Sequence, residues 1–304
     1  MKLCVAARPC HELAAKKHLD RIEFLFPEDT GLSESKGAAG ARVPADWGKG
    51  YGRLAGKNAL VTGSTRGLGR TIAEWLAREG ANIIVSGRDQ ADVDASVEAM
   101  RAIGVESWGI PADLSRIEDA HALAKAALET VETLDIVVNN AGMSIAQNFW
   151  EVSDADWDYE VNVNVRSPFI ICQHAARSWI DHGVRGRIVN ISTIGVFKGH
   201  RDKMVYNIAK SGVQTMTRNM SFELGHHGIT VNCVAPGAVP DKPGTEHEVS
   251  PESRERIKQI IPTGRYGRAE DIASAVVFFC LPETEWTTGQ TLLVDGAHIS
   301  SLKE

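Results

Sequence analysis

The 304-residue sequence predicts an α/β fold: a doubly wound parallel sheet with helices on both faces. From Lys57 onward, short apolar runs alternate with helical patterns, as in βαβ units. The runs are continuous rather than alternating, which is typical of parallel strands buried on both faces. The first run is followed directly by a glycine-rich turn and a helix.

Six apolar runs predict buried strands, and a seventh is weaker. They are NALVT (58–62), NIIVS (82–86), VESWGI (105–110, the weaker one), DIVVNN (135–140), RIVNIS (187–192), TVNCVA (230–235) and TLLVD (291–295). The segment LGRTIAEWLAREG after the first run places Leu68, Ile72 and Leu76 on one helical face and ends at Gly80, a helix-stop signal.

Residues 1–53 differ from this pattern and predict an N-terminal arm and linker. HELAAKKHLDRIEFLF (11–26) could form one amphipathic helix, and a Gly-, Ala- and Ser-rich stretch follows it. The arm could pack at a subunit interface or be a mobile tail. Residues 54–304 then form a single domain.

Composition excludes several classes of protein. With 43% hydrophobic and 24% charged residues, the chain suits a globular protein, and its net charge of −6 argues against nucleic-acid binding. No apolar run reaches the length of a membrane span, and no secretory signal is present. Five cysteines without a CxxC pair favour a reduced, cytoplasmic setting. The histidines show no tight ligand spacing, so no metal is expected.

The segment VTGSTRGLG (61–69) has the composition of a phosphate-binding turn. Gly63, Gly67 and Gly69 allow a tight turn and a close approach of the backbone to a pyrophosphate. The helix that follows would add free N–H groups and a positive dipole end. The alternative is a structural turn without a ligand.

Tyr206 and Lys210 lie four residues apart, a spacing that places them on one face of a helix. Together with the glycine turn, NNAG (139–142), PADLS (111–115), VNV (163–165), VAPG (234–237), GRYGRAEDIA (264–273) and TGQTLLVDG (288–296), this pair resembles the short-chain dehydrogenase/reductase family. The resemblance runs from about Leu54 to Ser300 and is nearest to the 3-oxoacyl-reductase and gluconate-dehydrogenase branch.

The resemblance implies a seven-stranded Rossmann-type sheet, a nicotinamide cofactor at the carboxyl ends of the strands, a small-molecule substrate and a homo-oligomer, either a tetramer or a dimer. Asp113 would meet the adenine, and Pro236, Gly237 and Val239 would lie near the nicotinamide. The full set of expected cofactor contacts is Gly63, Thr65, Arg66, Gly67, Leu68, Gly69, Arg88, Asp113, Leu114, Asn140, Ala141, Gly142, Tyr206, Lys210, Pro236, Gly237 and Val239.

The same resemblance gives Tyr206 the role of proton donor or acceptor, and Lys210 the role of its partner, which also holds the nicotinamide ribose. A nearby ammonium and the positive cofactor ring favour a phenolate, so we expect a lowered pKa for Tyr206. The helix would bury another face, through Ala209 and Val213, and leave the pair open to a cleft. Asn164, preferred by family spacing over Asn162, would steady the lysine and a relay water.

Two adjacent hydroxyls, Ser192 and Thr193, compete for the role of substrate-oxygen donor. The family places a serine thirteen positions before the tyrosine, and this count selects Thr193. A one-residue insertion in the loop would select Ser192 instead. Thr193 carries an extra methyl and a stiffer χ1, so this position departs from the usual family residue.

The cofactor is expected to be NADP(H), with NAD less favoured. The second strand ends in Ser86, Gly87 and Arg88, without the carboxylate that holds a ribose 2′-OH in NAD-binding proteins. Arg66 lies within the glycine turn. Two guanidinium groups suit a 2′-phosphate, although either arginine could equally be a solvated surface residue.

The substrate is less well defined. FKGHRDKM (197–204) forms a basic loop that could steer an anionic substrate, or could be a solvated surface loop. The polar segment at 238–262 is expected to form a lid. A polar, anionic or sugar-acid-like carbonyl compound is the first hypothesis, and a 3-oxoacyl thioester on an acidic carrier protein is the second. A non-catalytic nucleotide-binding scaffold is the alternative from a different class.

Overall fold

The computed structural model describes residues 50–239 and 250–300. The predicted helix at 11–26, most of the predicted arm and part of the predicted lid (240–249) therefore lie outside the described residues. Within the described ranges, seven strands form one parallel sheet, which confirms the predicted fold class. They are β1 (Asn58–Thr62), β2 (Asn82–Gly87), β3 (Ser107–Pro111), β4 (Ile136–Asn139), β5 (Arg187–Ile191), β6 (Thr230–Pro236) and β7 (Thr291–Val294).

Eight α-helices of the described residues accompany the strands. They are α1 (Gly67–Arg78), α2 (Gln90–Ile103), α3 (Ile117–Thr130), α4 (Asp154–Val161), α5 (Ser167–His182), α6 (Met204–Leu224), α7 (Pro251–Ile260) and α8 (Ala269–Cys280). A π-helical turn, Asn162–Arg166, joins α4 to α5. Helix α1 ends where the sequence indicates, because Gly80 adopts φ +93° directly after the helix cap.

The strand order β3-β2-β1-β4-β5-β6-β7 reverses direction between β1 and β4. A ligand crevice forms at such a switch point, outside the carboxyl ends of the strands. The glycine turn after β1, the NNAG segment after β4 and the hydroxyl pair after β5 therefore lie along one edge of the sheet.

Both faces of the sheet are buried, which explains the continuous apolar runs. In β1, Ala59 and Val61 pack into the core shared with α1, α2 and α8, whereas Leu60 packs into the core shared with α3 and α5. The weaker run forms the edge strand β3, shifted by one to two residues from the predicted bounds. No helix of the described residues combines the length and the apolar character required to cross a membrane.

The last residues of the predicted linker contact the domain. The backbone N–H of Tyr51 donates to Oε2 of Glu79 at 3.0 Å, and Arg53 Nε donates to the same oxygen at 3.1 Å. Glu79 caps the carboxyl end of α1. The chain at 51–53 is therefore held by a carboxylate on the first helix, and the division between residues 53 and 54 stays a prediction.

Candidate active site

The turn between β1 and α1 has a shape that only glycine permits at two points. Gly63 has φ +63°, and a Cβ on Gly69 would lie 2.1 Å from the carbonyl oxygen of Gly63. Arg66, at the N-cap of α1, gives no side-chain hydrogen bond to the helix, and the first turn holds no acidic residue. The N–H groups of this helix end are therefore open to an anion, and the turn fits the pyrophosphate of a dinucleotide.

The segment after β4 is bonded directly to that turn. Asn140 Nδ2 donates to the carbonyl oxygens of Thr62 and Gly63 at 3.0 and 3.2 Å, and the N–H of Ala141 donates to Thr62 Oγ1 at 3.1 Å. The Asn140 side chain is thus used to hold the turn. Asn140 is therefore expected to contribute to a cofactor site indirectly, because its side chain fixes the position of the backbone of the turn.

Tyr206 and Lys210 lie together on α6, as their spacing predicts. Lys210 Nζ lies 5.8 Å from the centroid of the Tyr206 ring and donates to the carbonyl oxygen of Ile191 at 2.9 Å. The expectation that this pair avoids the buried face was wrong for Lys210, which is 3% exposed and lies among the buried residues of α6. The physical reason is that the end of β5 packs over this helix and accepts the ammonium.

Asn164 joins this cluster from the π-helical turn. It is fully buried, donates through Nδ2 to the carbonyl oxygens of Met143 (2.6 Å) and Glu160 (2.9 Å), and accepts from the N–H of Met143 at 3.2 Å. A Cβ on Gly142 would lie 3.1 Å from Asn164 Oδ1 and 3.4 Å from Lys210 Nζ. Asn164, Lys210 and Gly142 therefore meet at one point. Such π-turns are frequent at functional sites.

The competing asparagine, Asn162, has a different partner. Its Nδ2 donates to the carbonyl oxygen of Ser115 at 3.1 Å, which ties the π-turn to the loop after β3. The structure thus brings Asn164, and not Asn162, to Lys210.

The two hydroxyls after β5 have distinct surroundings. Ser192 is 3% exposed; its hydroxyl donates to the carbonyl oxygen of Lys210 at 3.0 Å and accepts from Gln214 Nε2 at 3.1 Å. Thr193 is half-buried, and its Oγ1 accepts from the N–H of Gly195 at 3.1 Å. The hydroxyl proton of Ser192 is therefore donated to another residue of the protein. The Thr193 hydroxyl proton has no acceptor among the described residues.

The electrostatics of Tyr206 differ from the sequence-based expectation. Burial of the phenol raises the pKa of Tyr206 to about 12, and the negative charge of Glu160 acts in the same direction. In the protein by itself, desolvation of the phenolate therefore sets the direction of the shift. The expectation of a lowered pKa was based on the charges near the phenol and did not include the burial of the phenol.

One arginine lies in the glycine turn and another follows β2. Arg66 and Arg88 are exposed, and neither guanidinium group has a hydrogen bond or ion pair to another described residue. The nearest carboxylate in sequence, Asp89, caps α2 by accepting from the N–H of Asp92 at 3.1 Å. A Cβ on Gly87 would lie 2.5 Å from Thr65 Cγ2, so Thr65 packs closely on this strand end. Two cations without a competing acid thus flank the turn.

Other residues expected to contact the cofactor take part in local structure. Asp113 Oδ1 accepts from Ser115 Oγ at 2.8 Å. Leu114 is buried in the core shared with α3 and α5, and Leu68 packs partly against the other core, so their contacts with a ligand would have to come from the backbone. Gly237 donates through its N–H to Val294 at 2.9 Å. It continues from Pro236 at the end of β6, and half-buried Val239 follows it.

The basic loop is connected to the segment after β4 and to the region after β7. The N–H of Gln147 donates to the carbonyl oxygen of Asp202 at 3.1 Å, and Lys198 Nζ lies 3.2 Å from His298 Nε2. Burial, followed by the charge of Lys198, lowers the pKa of both His200 and His298. No local pattern indicates that His298 lies beside this loop, because the two histidines are far apart along the chain.

Glu160 was missed by the sequence analysis. It lies one helical turn before Asn164, is 1% exposed, and its charge acts on Tyr206. In the sequence, Glu160 could have been recognised as a carboxylate that lies four residues before the candidate asparagine, Asn164. No group of three or more His, Cys, Asp or Glu side chains in the described ranges is arranged to hold a metal ion.

A doubly wound parallel sheet with an open phosphate turn at its switch point, and a Tyr–Lys pair beside it, defines a nucleotide-dependent oxidoreductase. Comparison with known proteins agrees. The family model for enoyl-(acyl carrier protein) reductase matches residues 63–297. The 3-oxoacyl-[acyl-carrier-protein] reductase FabG of Aquifex aeolicus is 34% identical over 245 residues, covering 80% of this chain and 98% of the relative.

A second relative, 2-dehydro-3-deoxy-D-gluconate 5-dehydrogenase of Escherichia coli, is 34% identical over 247 residues, 81% of this chain and 97% of the relative. Among solved structures, a protein of Beutenbergia cavernae named as an NAD(P) dependent gluconate 5-dehydrogenase, with bound NADP at low occupancy, matches with a TM-score of 0.77 at 32% identity. That match covers 82% of this chain and 98% of the other. The chain belongs to the short-chain dehydrogenase/reductase family and is an oxidoreductase acting on CH–OH or carbonyl groups.

Proposed function

We propose that this protein is an NADP(H)-dependent oxidoreductase that interconverts a secondary alcohol and a carbonyl on a polar, anionic or sugar-acid-like small molecule. The observation that carries the proposal is the convergence of Lys210, Asn164 and Gly142 beside Tyr206 at the carboxyl edge of the sheet. A bound nicotinamide would supply or accept the hydride. A scaffold protein would have no use for a buried lysine held against a phenol.

In the proposed reaction, Tyr206 moves the proton. During reduction its hydroxyl gives a proton to the substrate oxygen while hydride reaches the carbonyl carbon. During oxidation Tyr206 takes the proton back from the substrate hydroxyl, and the substrate carbon gives up the hydride. Lys210, fixed by Ile191, places a positive charge over the Tyr206 ring and stabilises the phenolate that results. The positive nicotinamide ring would add to this stabilisation, opposing the desolvation that raises the pKa of Tyr206 in the protein alone.

Thr193 is the proposed donor to the substrate oxygen. Its hydroxyl proton is not used by a described residue, whereas the Ser192 proton is committed to the Lys210 carbonyl. Asn164 anchors the segment that carries Gly142 and so fixes the backbone beside Lys210.

The proposed cofactor is NADP(H), with NAD less favoured. The open end of α1 would hold the pyrophosphate, and Arg66 and Arg88 would bind the 2′-phosphate by charge-assisted hydrogen bonds. The bound NADP of the Beutenbergia cavernae protein supports this choice, as does the use of Asp89 as a helix cap.

The proposed substrate class is supported by the positive charge of Lys198 and by the relatives. Lys198 lies in the loop before α6, where it would attract an anionic group, and the lowered pKa values of His200 and His298 favour neutral imidazoles that could hydrogen-bond such a group. Relatives act on gluconate derivatives by name, and the FabG relatives support the second candidate, a 3-oxoacyl thioester on an acidic carrier. We also expect a cytoplasmic homo-oligomer, a tetramer or a dimer.

The test is a panel of sugar acids, other polar ketones and 3-oxoacyl thioesters, followed by NADPH absorbance, with the wild type and Tyr206→Phe. Turnover should fall by about 10²–10⁴-fold in the variant, while NADPH binding persists. The control is Tyr51→Phe, which alters a ring that is 87% exposed. Cofactor binding without Tyr206-dependent turnover on any compound would support a scaffold instead. Preference for thioesters would select the second candidate.

A further inference from the structure

Glu160 is a buried carboxyl group beside the catalytic cluster. Only 1% of it is exposed, and its backbone carbonyl accepts from Asn164 Nδ2 at 2.9 Å. It therefore lies on the helical turn immediately before the π-turn that carries Asn164. The roles proposed above for Tyr206, Lys210, Thr193 and Asn164 do not use this side chain.

The two carboxyl oxygens of Glu160 have unequal partners. Oε1 accepts from the backbone N–H of Ile145 at 3.0 Å, whereas Oε2 is buried without a hydrogen-bond partner among the described residues. An unsatisfied buried polar atom is costly and calls for an explanation. If Glu160 served only to anchor Ile145, one hydrogen-bond acceptor would be sufficient and the side chain would not need to carry a charge.

The residues anchored by Glu160 form the segment Met143–Gln147, which follows Gly142. Its backbone is held at three points: Met143 to Asn164, Ile145 to Glu160, and Gln147 to Asp202 of the basic loop. Ser144 Oγ and Gln147 Nε2 in this segment are also buried without a partner among the described residues. Glu160 is thus the middle attachment of the segment between Gly142, which lies beside Lys210, and the basic loop.

We propose that Glu160 is a positioning residue of the reaction: from α4, which packs against α6, its carboxyl holds the backbone of Ile145 and its carbonyl holds Asn164, so that it fixes the segment Met143–Gln147 beside the helix that carries Tyr206. This inference rests on the proposed function, because it assigns a tuning role to a residue that acts through Tyr206.

The charges around the two groups set the direction of the effect. Glu160 is affected chiefly by burial, which raises its pKa, and Asp156 acts in the same direction while the Ile145 N–H opposes it. Among the described residues, Glu160 on α4 and Lys210 on the same helix as Tyr206 act on it with charges of opposite sign. An ionised Glu160 disfavours the phenolate, so removing its charge should lower the pKa of Tyr206.

Two substitutions separate charge from anchoring. Glu160→Gln keeps an acceptor for Ile145 and removes the charge; Glu160→Leu removes both. The matched control is Asp158→Asn, which makes the same charge change at an exposed position of the same helix. The measurement is the pH dependence of kcat and kcat/KM on a substrate that gives Tyr206-dependent turnover.

In Glu160→Gln, the limb of the profile that reports Tyr206 should move to lower pH by about half a unit or more, with KM changed by less than about threefold. Glu160→Leu should show the same shift and a KM raised on the order of tenfold, because the segment loses its attachment. A Glu160→Gln profile that overlays the wild type, or a shift that Asp158→Asn reproduces, would overturn the proposal. Glu160→Gln decides the question by itself if the leucine variant does not fold.

A second measurement does not depend on turnover. Phenolate absorbance near 295 nm, followed against pH as the difference between each protein and its Tyr206→Phe derivative, reports Tyr206 directly. With Glu160→Gln the Tyr206 signal should appear at lower pH than in the wild type. The proposal would be overturned if the wild type and Glu160→Gln gave identical difference curves, or if neither protein gave a Tyr206 signal. Absence of turnover with a shifted curve would reject the proposed function, and only the effect of Glu160 on the Tyr206 phenol would then stand.

Discussion

The Lys210 side chain crosses from α6 to the last residue of β5, where its Nζ donates to the Ile191 carbonyl at 2.9 Å. Ser192 and Thr193 follow Ile191 directly, and Ser192 returns a hydrogen bond from its hydroxyl to the Lys210 carbonyl at 3.0 Å. Hydrogen bonds therefore run in both directions between Lys210 and the chain at Ile191 and Ser192. This arrangement fixes the helix that carries Tyr206 relative to the strand end that carries Thr193.

The hydroxyl pair gives the first prediction. Thr193→Val keeps the shape of the side chain and removes the hydroxyl, and should lower kcat by about 10²–10³-fold, while Thr193→Ser should keep most of the activity. Ser192→Ala leaves the Lys210 carbonyl and Gln214 Nε2 without this partner, and should reduce the free energy of unfolding by about 1–3 kcal/mol. Steady-state kinetics and urea unfolding separate the two effects. A reversed pattern would assign the reaction to Ser192.

The arginines at the phosphate turn give the second prediction. A hydrogen bond to a charged group contributes about 1.5–3 kcal/mol, so Arg66→Ala or Arg88→Ala should weaken NADPH binding by roughly tenfold to a hundredfold and leave NADH binding nearly unchanged. Fluorescence titration measures both dissociation constants. Arg101→Ala serves as the control, since Arg101 pairs with Glu98 at the other end of α2. Equal losses for both cofactors would show that the arginines do not read the 2′-phosphate.

The third prediction concerns stability at alkaline pH. The folded-state pKa of Tyr206 is raised to about 12, above the value of about 10 in an unfolded chain. The associated stability is present below pH 10 and is lost as the pH rises through the folded pKa, because the unfolded chain gives up its proton first. Tyr206→Phe lacks this proton, so its unfolding free energy should decline less between about pH 10 and 12.

Denaturant unfolding at several alkaline pH values, compared with pH 8, measures that difference in slope. Tyr51→Phe is the control, since it removes a phenol whose ring is 87% exposed. Parallel declines in the wild type and Tyr206→Phe would show that the Tyr206 phenol is not desolvated in solution.

Much of the fold was predictable because it depends on local patterns. Continuous apolar runs marked strands covered on both faces, and Gly80 marked the end of α1. The strand β3 was the least certain because its run, VESWGI, is interrupted by polar residues and a glycine, so its local pattern is weaker than that of the other strands. The expected roles of Asp113, Asn140 and Leu114 remain predictions, since the structure shows these residues supporting turns and core.

By itself, the sequence determined the order of the strands along the chain, the glycine turn and the Tyr–Lys spacing, because each depends on neighbours within a few residues. Only the tertiary structure decided that Lys210 is buried against Ile191, that Asn164 and not Asn162 reaches it, and that Ser192 has a committed proton. It also decided the direction in which the pKa of Tyr206 shifts, because packing desolvates the phenol. Desolvation and long-range hydrogen bonds depend on which segments pack together, and no local pattern encodes that.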